Sequence, residues 1–226
     1  RDHLFVEEAG ALPAVVVIRH ANGETHFVVV WSVHGPFVQI MDPAVGRRWI
    51  RRRELIDQLY VHALPVPAEE CREWAGSDEF IKPLRRQLED VGVLPTPLIE
   101  TALADPGWTA LGALDAATRM VTAIVRSRGL VRGDEAAAVI KRFAEAAVSQ
   151  LDGAHDALAI PTEYWSVRPS ESDADGVPQV MLSGAVMVRA LGRGEAETES
   201  LSPELTAALR ELPPRPSCQS NGLGVL

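Results

Sequence analysis

An α+β fold follows from three features of this sequence: strand patterns fill one stretch of chain, helix patterns fill the next, and a short strand pattern returns afterwards. Residues 13–66 read as an antiparallel sheet, residues 77–151 as helices, and residues 160–192 as strands again. The corresponding organisation is a sheet region over 1–66, a helical region over 77–151, a small α/β region over 160–212 and a tail over 213–226.

In the first region, Pro13–Arg19 is a short apolar run rich in β-branched residues, which suit a pleated, half-buried surface. Asn22-Gly23 then supplies a hairpin turn. Thr25–Trp31 is the next strand, His34-Gly35-Pro36 turns the chain, and Phe37–Met41 returns. Asp42-Pro43-Ala44-Val45-Gly46 turns it again into a short strand, Arg48–Ile50. Glu54–Leu59 is expected to make one or two helical turns, and Tyr60–Pro65 a final strand of the same sheet.

The helices follow from apolar residues at helical spacing. Ser77 is expected to cap a helix from Asp78 to about Val91, with Phe80, Leu84 and Leu88 on one face. Thr96-Pro97 starts a short helix, and Asp105-Pro106 opens a longer one that stops near Gly129. The longer helix carries the stripe Trp108, Leu111, Leu114, Thr118, Val121 and Val125, with Asp115 and Arg119 expected as an exposed ion pair. Asp134–Leu151 is a further helix, with Ile140, Phe143, Ala147 and Leu151 on one face. These stripes are read as core, with no cofactor role. Tyr164–Val167, Gln179–Leu182 and Ala185–Leu191 are strands, and Ser202-Pro203 starts a last helix to about Leu212.

Composition excludes several classes. A net charge of −9 gives the whole chain no electrostatic reason to seek nucleic acid. The local exception is Arg47, Arg48, Arg51, Arg52 and Arg53, which could grip phosphate or an acidic peptide but read first as a solvated hairpin edge. The two cysteines, Cys71 and Cys218, make neither a disulfide framework nor a zinc spacing, so no metal and no cofactor is expected. The most apolar stretch, Leu111–Val125, is interrupted by Asp115 and Arg119, so no transmembrane segment is expected, and the two cysteines, read as reduced thiols, give a cytoplasmic setting as the expectation. The chain begins at Arg1 rather than at methionine, and a preceding segment is expected.

One constellation points to chemistry. His26 opens one strand and Asp42 closes the next, so a hairpin would bring the two to one rim of the sheet. A carboxylate there can hold one imidazole nitrogen and leave the other to take a proton from a thiol. The competing structural reading is a polar residue at a sheet edge beside an Asp-Pro turn.

The runs Pro13-Ala-Val-Val-Val-Ile, His26-Phe-Val-Val-Val and Asp42-Pro-Ala-Val-Gly-Arg, with Glu54-Leu-Ile, resemble the bacteriocin-processing cysteine peptidases over about residues 10–66. These are papain-like domains at the N-terminus of peptide-exporting ABC transporters, which cut a leader peptide after a double glycine. The resemblance implies that His26 is the catalytic base and Asp42 its orienter. It also implies a leader peptide or other peptide partner, an ABC transporter or other subunit, and a place at the inner face of the membrane through that partner.

The family's nucleophilic cysteine and oxyanion-hole glutamine lie well upstream of the histidine. Here the residues before His26 contain neither cysteine nor glutamine. The chain as given is therefore expected to be an incomplete or inactive thiol peptidase. The alternatives are a non-catalytic peptide-docking or scaffold module of an export system, and a transglutaminase-like thiol hydrolase. Transglutaminase-like hydrolases share the His, strand, turn, strand, Asp-Pro order, but Val28 and Val30 fit the exporter peptidases better. Arylamine acyltransferases share the triad and none of the other features. Neither cysteine replaces the missing nucleophile: Cys71 stands among Glu69, Glu70 and Glu73, whose carboxylates would raise its pKa, and Cys218 lies in the tail.

Overall fold

A computed structural model describes residues 2–152 and 159–188. In chain order its elements are β1 (Ala14–Arg19), β2 (Thr25–His34), β3 (Phe37–Asp42), β4 (Gly46–Arg51), α1 (Arg52–Gln58) and β5 (His62–Pro67). There follow α2 (Ala68–Ala75), α3 (Asp78–Asp90), α4 (Pro95–Leu103), α5 (Thr109–Arg126), α6 (Asp134–Asp152), β6 (Val167–Pro169), β7 (Gln179–Gly184) and β8 (Met187–Val188). The described residues form two compact units: Leu12–Asp57 with 186–188, and 2–11 with Gln58–Ala185. The last expected helix (202–212), the tail with Cys218, and the end of the Ala185–Leu191 strand lie outside the described residues.

The first unit is built on a five-stranded antiparallel sheet in the order β4-β3-β2-β1-β8. Its register follows from turns that leave little freedom. Between β1 and β2, Gly23 takes a left-handed φ of 88°, and the amide of His20 donates to the carbonyl of Glu24 at 2.9 Å. Ile18 consequently faces His26, and Ala14 faces Val30. A bulge between Val30 and Ser32 inserts Trp31 before β2 meets β3. Alternation then separates two faces. Ala14, Val16, Ile18, Val28, Val30, Val38, Ile40 and Ile50 are buried on one face, while Phe27, Trp31, Phe37, Met41 and Trp49 stand exposed. Burying each such Val or Ile contributes roughly 1.5–3 kcal/mol.

The second unit centres on α5, whose Leu111, Ala113, Leu114, Ala116, Ala117 and Val121 are buried. Around it lie Phe80, Leu84 and Leu88 of α3, Ile99 of α4, and Ala136, Ile140 and Ala147 of α6, in one apolar cluster. The start of α5 is held by Asp105, whose carboxylate accepts from the amides of Gly107 at 2.8 Å and Ala110 at 3.2 Å. Its end turns at Arg128, which adopts a left-handed φ of 63°, and the Gly129 amide then donates to the Ile124 carbonyl at 2.9 Å. A three-stranded sheet, β5-β7-β6, belongs to the same unit.

The strand expected over Tyr164–Val167 begins only at Val167, as β6, after a 3-10 turn at Thr162–Tyr164. Five further expectations are corrected by this structure. The segment expected as the final strand of the first sheet is β5, and it pairs with β7 instead. Pro65 and Pro67 suit it to an edge: two residues apart, they place their donor-less nitrogens on the same side, away from β7. The stretch expected as a strand from Ala185 contributes only β8 among the described residues, and β8 joins the first sheet beside β1. Helix α2 lies where no element was expected. Ser77 does not cap α3 with its side chain; its hydroxyl donates back to the Trp74 carbonyl at 2.7 Å.

The fifth correction concerns Asp115, expected on an exposed face but 0% exposed. The face of α5 bearing Gly112 and Asp115 lies close to the start of β6. A Cβ on Gly112 would sit 2.7 Å from Cγ1 of Val167, so only glycine permits that approach. The approach brings Ser166 to Asp115, where its hydroxyl donates at 2.7 Å. Arg119 Nε lies 3.0 Å from both carboxylate oxygens.

Candidate functional site

The sheet register decides which side chains can meet at the rim of the first unit. His26 lies opposite Ile18 and two residues before Val28, so it shares the buried face. Asp42 lies two residues beyond Ile40 on that same face. Arg48 pairs with Ile40 across β3 and β4 and joins them there. Three consecutive strands thus deliver an imidazole, a carboxylate and a guanidinium to one corner.

His26 Nε2 lies 2.9 Å from Asp42 Oδ1. An ionised carboxylate only accepts, so the imidazole must carry its proton on Nε2 and donate it. Nδ1 is then the nitrogen able to receive a proton. The carboxylate is further fixed by the Ala44 amide, which donates to Oδ1 at 2.9 Å, and by Arg48 Nη2, which donates to Oδ2 at 3.0 Å. The Ala44 contact is the side-chain-to-backbone turn that an Asp-Pro sequence favours.

Burial and charge act in opposite directions on Asp42, which is 4% exposed. Its pKa lies below the ordinary carboxylate value of 3.8, chiefly because His26 donates to it, then because the Ala44 amide does, with the charges of His26 and Arg48 adding to the effect. Burial alone would have raised it. The carboxylate therefore stays ionised at neutral pH. The His26 side chain is 28% exposed, so one edge of the ring remains within reach of solvent. His20 stacks on it, with ring centroids 5.8 Å apart and planes inclined by 28°.

The arrangement can hold an imidazole in one tautomer and one orientation, which is the task of the base-and-orienter pair in a thiol or serine hydrolase. Arg48 and His20 were not singled out as site residues from sequence. Arg48 was read with its neighbours as a solvated edge, yet strand alternation was enough to put it on the Asp42 face, with Arg47 and Arg51 on the other. His20 could have been found from the hairpin, which closes beside His26.

Cys71 is not a credible thiolate in its own surroundings. It is buried on α2, in a small cluster with Val167 and Val180, and burial pushes its pKa up to about 11. The direction is the one expected from Glu69, Glu70 and Glu73, but the cause is loss of solvent rather than those carboxylates. Among the described residues, no group of three or more His, Cys, Asp or Glu side chains could hold a metal ion, and no helix is long and apolar enough to cross a membrane.

Residues 5–66 match the sequence model of the Peptidase C39 family. This is the cysteine-peptidase family that the strand and Asp-Pro runs resemble, and the matched stretch is cysteine-peptidase-like. It contains both His26 and Asp42. No curated protein and no solved structure matches the chain.

Proposed function

We propose that residues 5–66 supply the base and the orienter of a thiol peptidase that processes leader peptides for export. The observation carrying this reading is the 2.9 Å contact between His26 Nε2 and Asp42 Oδ1 inside the stretch that matches the peptidase family. His26 would accept the thiol proton on Nδ1 and return it to the leaving amine, and Asp42 would hold the ring and stabilise the imidazolium. The thiolate has to come from outside residues 5–66, because they contain no cysteine.

The same lack of cysteine favours a second reading, in which the domain docks a leader peptide or transporter partner without cutting. Both readings place the domain at the cytoplasmic face of a membrane through that partner. The coding sequence upstream of Arg1 separates them. A cysteine followed by glycine, with a glutamine before it, supports the enzyme, and a substituted cysteine supports docking.

The biochemical test uses the 226-residue chain with a synthetic double-glycine leader peptide. No cleavage is expected, since a site without its nucleophile retains roughly a thousandth or less of the intact activity. Cleavage that disappears on Cys71→Ser or Cys218→Ser would identify that cysteine as the thiol, and cleavage that persists in His26→Ala would overturn the proposal.

A further inference from the structure

The features not used by the His26–Asp42 pair lie on the other face of the same sheet. β4 is the terminal strand in the order β4-β3-β2-β1-β8, so among the described residues no strand pairs with the other side of its backbone. The Arg52 amide donates to the Pro36 carbonyl at 2.9 Å, which fixes the alternation along the strand. The backbone groups of Arg48 and Ile50 turn toward β3, and those of Arg47, Trp49 and Arg51 turn to the open edge. The side chains of these last three residues rise on the face opposite Arg48 and Ile50, and all three are exposed.

Two observations separate this edge from one merely protected by charge. Arg47 and Arg51 have no ion pair among the described residues, and between them stands an indole that is 51% exposed. A defensive edge presents charge and no large apolar group. Moreover, the exposed face carries further apolar side chains one strand inward, Phe37 opposite Arg51 and Met41 opposite Arg47, with Gln39 opposite Trp49 between them. Scattered exposed apolar residues need no explanation, but an exposed indole set between two cations without an ion pair among the described residues, with Phe37 and Met41 on the next strand, marks an interaction site.

We propose that the open edge of β4 docks an extended acidic peptide of a partner protein, which adds as a further strand. Its sequence follows the order acidic, any, apolar, any, acidic, which puts the two acidic residues and the apolar one on the aromatic face. The two carboxylates meet Arg47 and Arg51, and the apolar residue packs on Trp49. The peptide backbone supplies the donors and acceptors that the open edge lacks. That requirement favours a peptide over a lipid surface or a nucleic acid, neither of which offers a matching row of amides. The net charge of −9 sharpens the localisation, because an acidic peptide is repelled by most of the protein surface. This docking does not depend on the catalytic reading of His26 and Asp42, which occupy the other face.

The test titrates the full chain with the peptide acetyl-Thr-Glu-Thr-Val-Thr-Glu-Thr-amide, followed by amide chemical shifts and indole fluorescence. Shifts are expected at residues 46–51 and at the Trp49 indole. Arg47→Glu with Arg51→Glu is expected to weaken binding by about tenfold or more, as is N-methylation of the peptide backbone at the paired positions. A version with lysine in place of glutamate should not bind. Trp49→Ala provides a second variant that leaves both arginines in place, and it too should weaken binding. The proposal is overturned by no binding, by binding that the double variant leaves unchanged, or by equal binding of the lysine peptide. It is also overturned if phosphatidylserine vesicles or oligothymidylate bind through the same arginines and the peptide does not.

Discussion

Asp42 in the sheet unit and Asp115 in the helical unit are two buried carboxylates with closely similar partners. Each is met by an arginine, Arg48 at 3.0 Å and Arg119 at 3.0 Å, and each accepts from a third side chain. For Asp115 the third partner is the Ser166 hydroxyl, and the carboxylate is 0% exposed. For Asp42 it is the His26 imidazole, which keeps an edge in solvent. A buried, well-paired carboxylate is thus no mark of chemistry by itself. What distinguishes the sheet site is a partner with a second titratable atom left to act. Ser166 has no such atom, and its bond to Asp115 ties the segment before β6 to α5.

Breaking the helical member should have the largest effect. Asp115→Ala removes the buried carboxylate that Arg119 and Ser166 both engage, and it should cost about 3 kcal/mol, the lower end of the range for losing one partner of a buried pair. Urea unfolding followed by probes in α5 and α6 checks this, and a change near zero would mean that Asp115 is not structural. Ser166→Ala removes one hydrogen bond to a charged acceptor and should cost about 1.5–3 kcal/mol in the same experiment.

Asp42→Asn should show itself chiefly in pH dependence. The folded-state pKa of Asp42 lies below 3.8, so the unfolded chain takes up that proton at a higher pH than the folded one. Its contribution to stability is full above the unfolded value and is lost as pH falls through the folded one. Unfolding curves recorded across this acidic window should lose part of their slope in Asp42→Asn. An unchanged slope would show that His26, Ala44 and Arg48 do not hold the carboxylate in solution.

The contrast between the two carboxylates was only half legible in the sequence. The first four strands could be read because their signals are local: β-branched runs, an Asn-Gly turn and an Asp-Pro turn fix the hairpins, and the hairpins bring His26 to Asp42. Helices α3, α5 and α6 were legible for a similar reason, since apolar spacing is a property of one segment. Asp115 was misread because its burial depends on Ser166 and Val167, far along the chain, and on the missing side chain of Gly112. The destination of β5 was equally hidden. Alternation identifies a strand but not its sheet, and the β7 partner is distant in sequence. Helix α2 was overlooked because it is short and half charged, although acidic residues in its first turn after Pro67 were a usable start signal.

The central claim is that Asp42 sets the tautomer of His26 so that Nδ1 is free to take a proton. The most direct measurement is the pair of 15N chemical shifts of the His26 ring, recorded at a pH where the imidazole is neutral, in the native chain and in Asp42→Asn. The account predicts a protonated Nε2 and an unprotonated Nδ1 in the native chain, with that preference weakened or reversed in the variant. A native ring protonated on Nδ1, or a tautomer indifferent to Asp42→Asn, would contradict it.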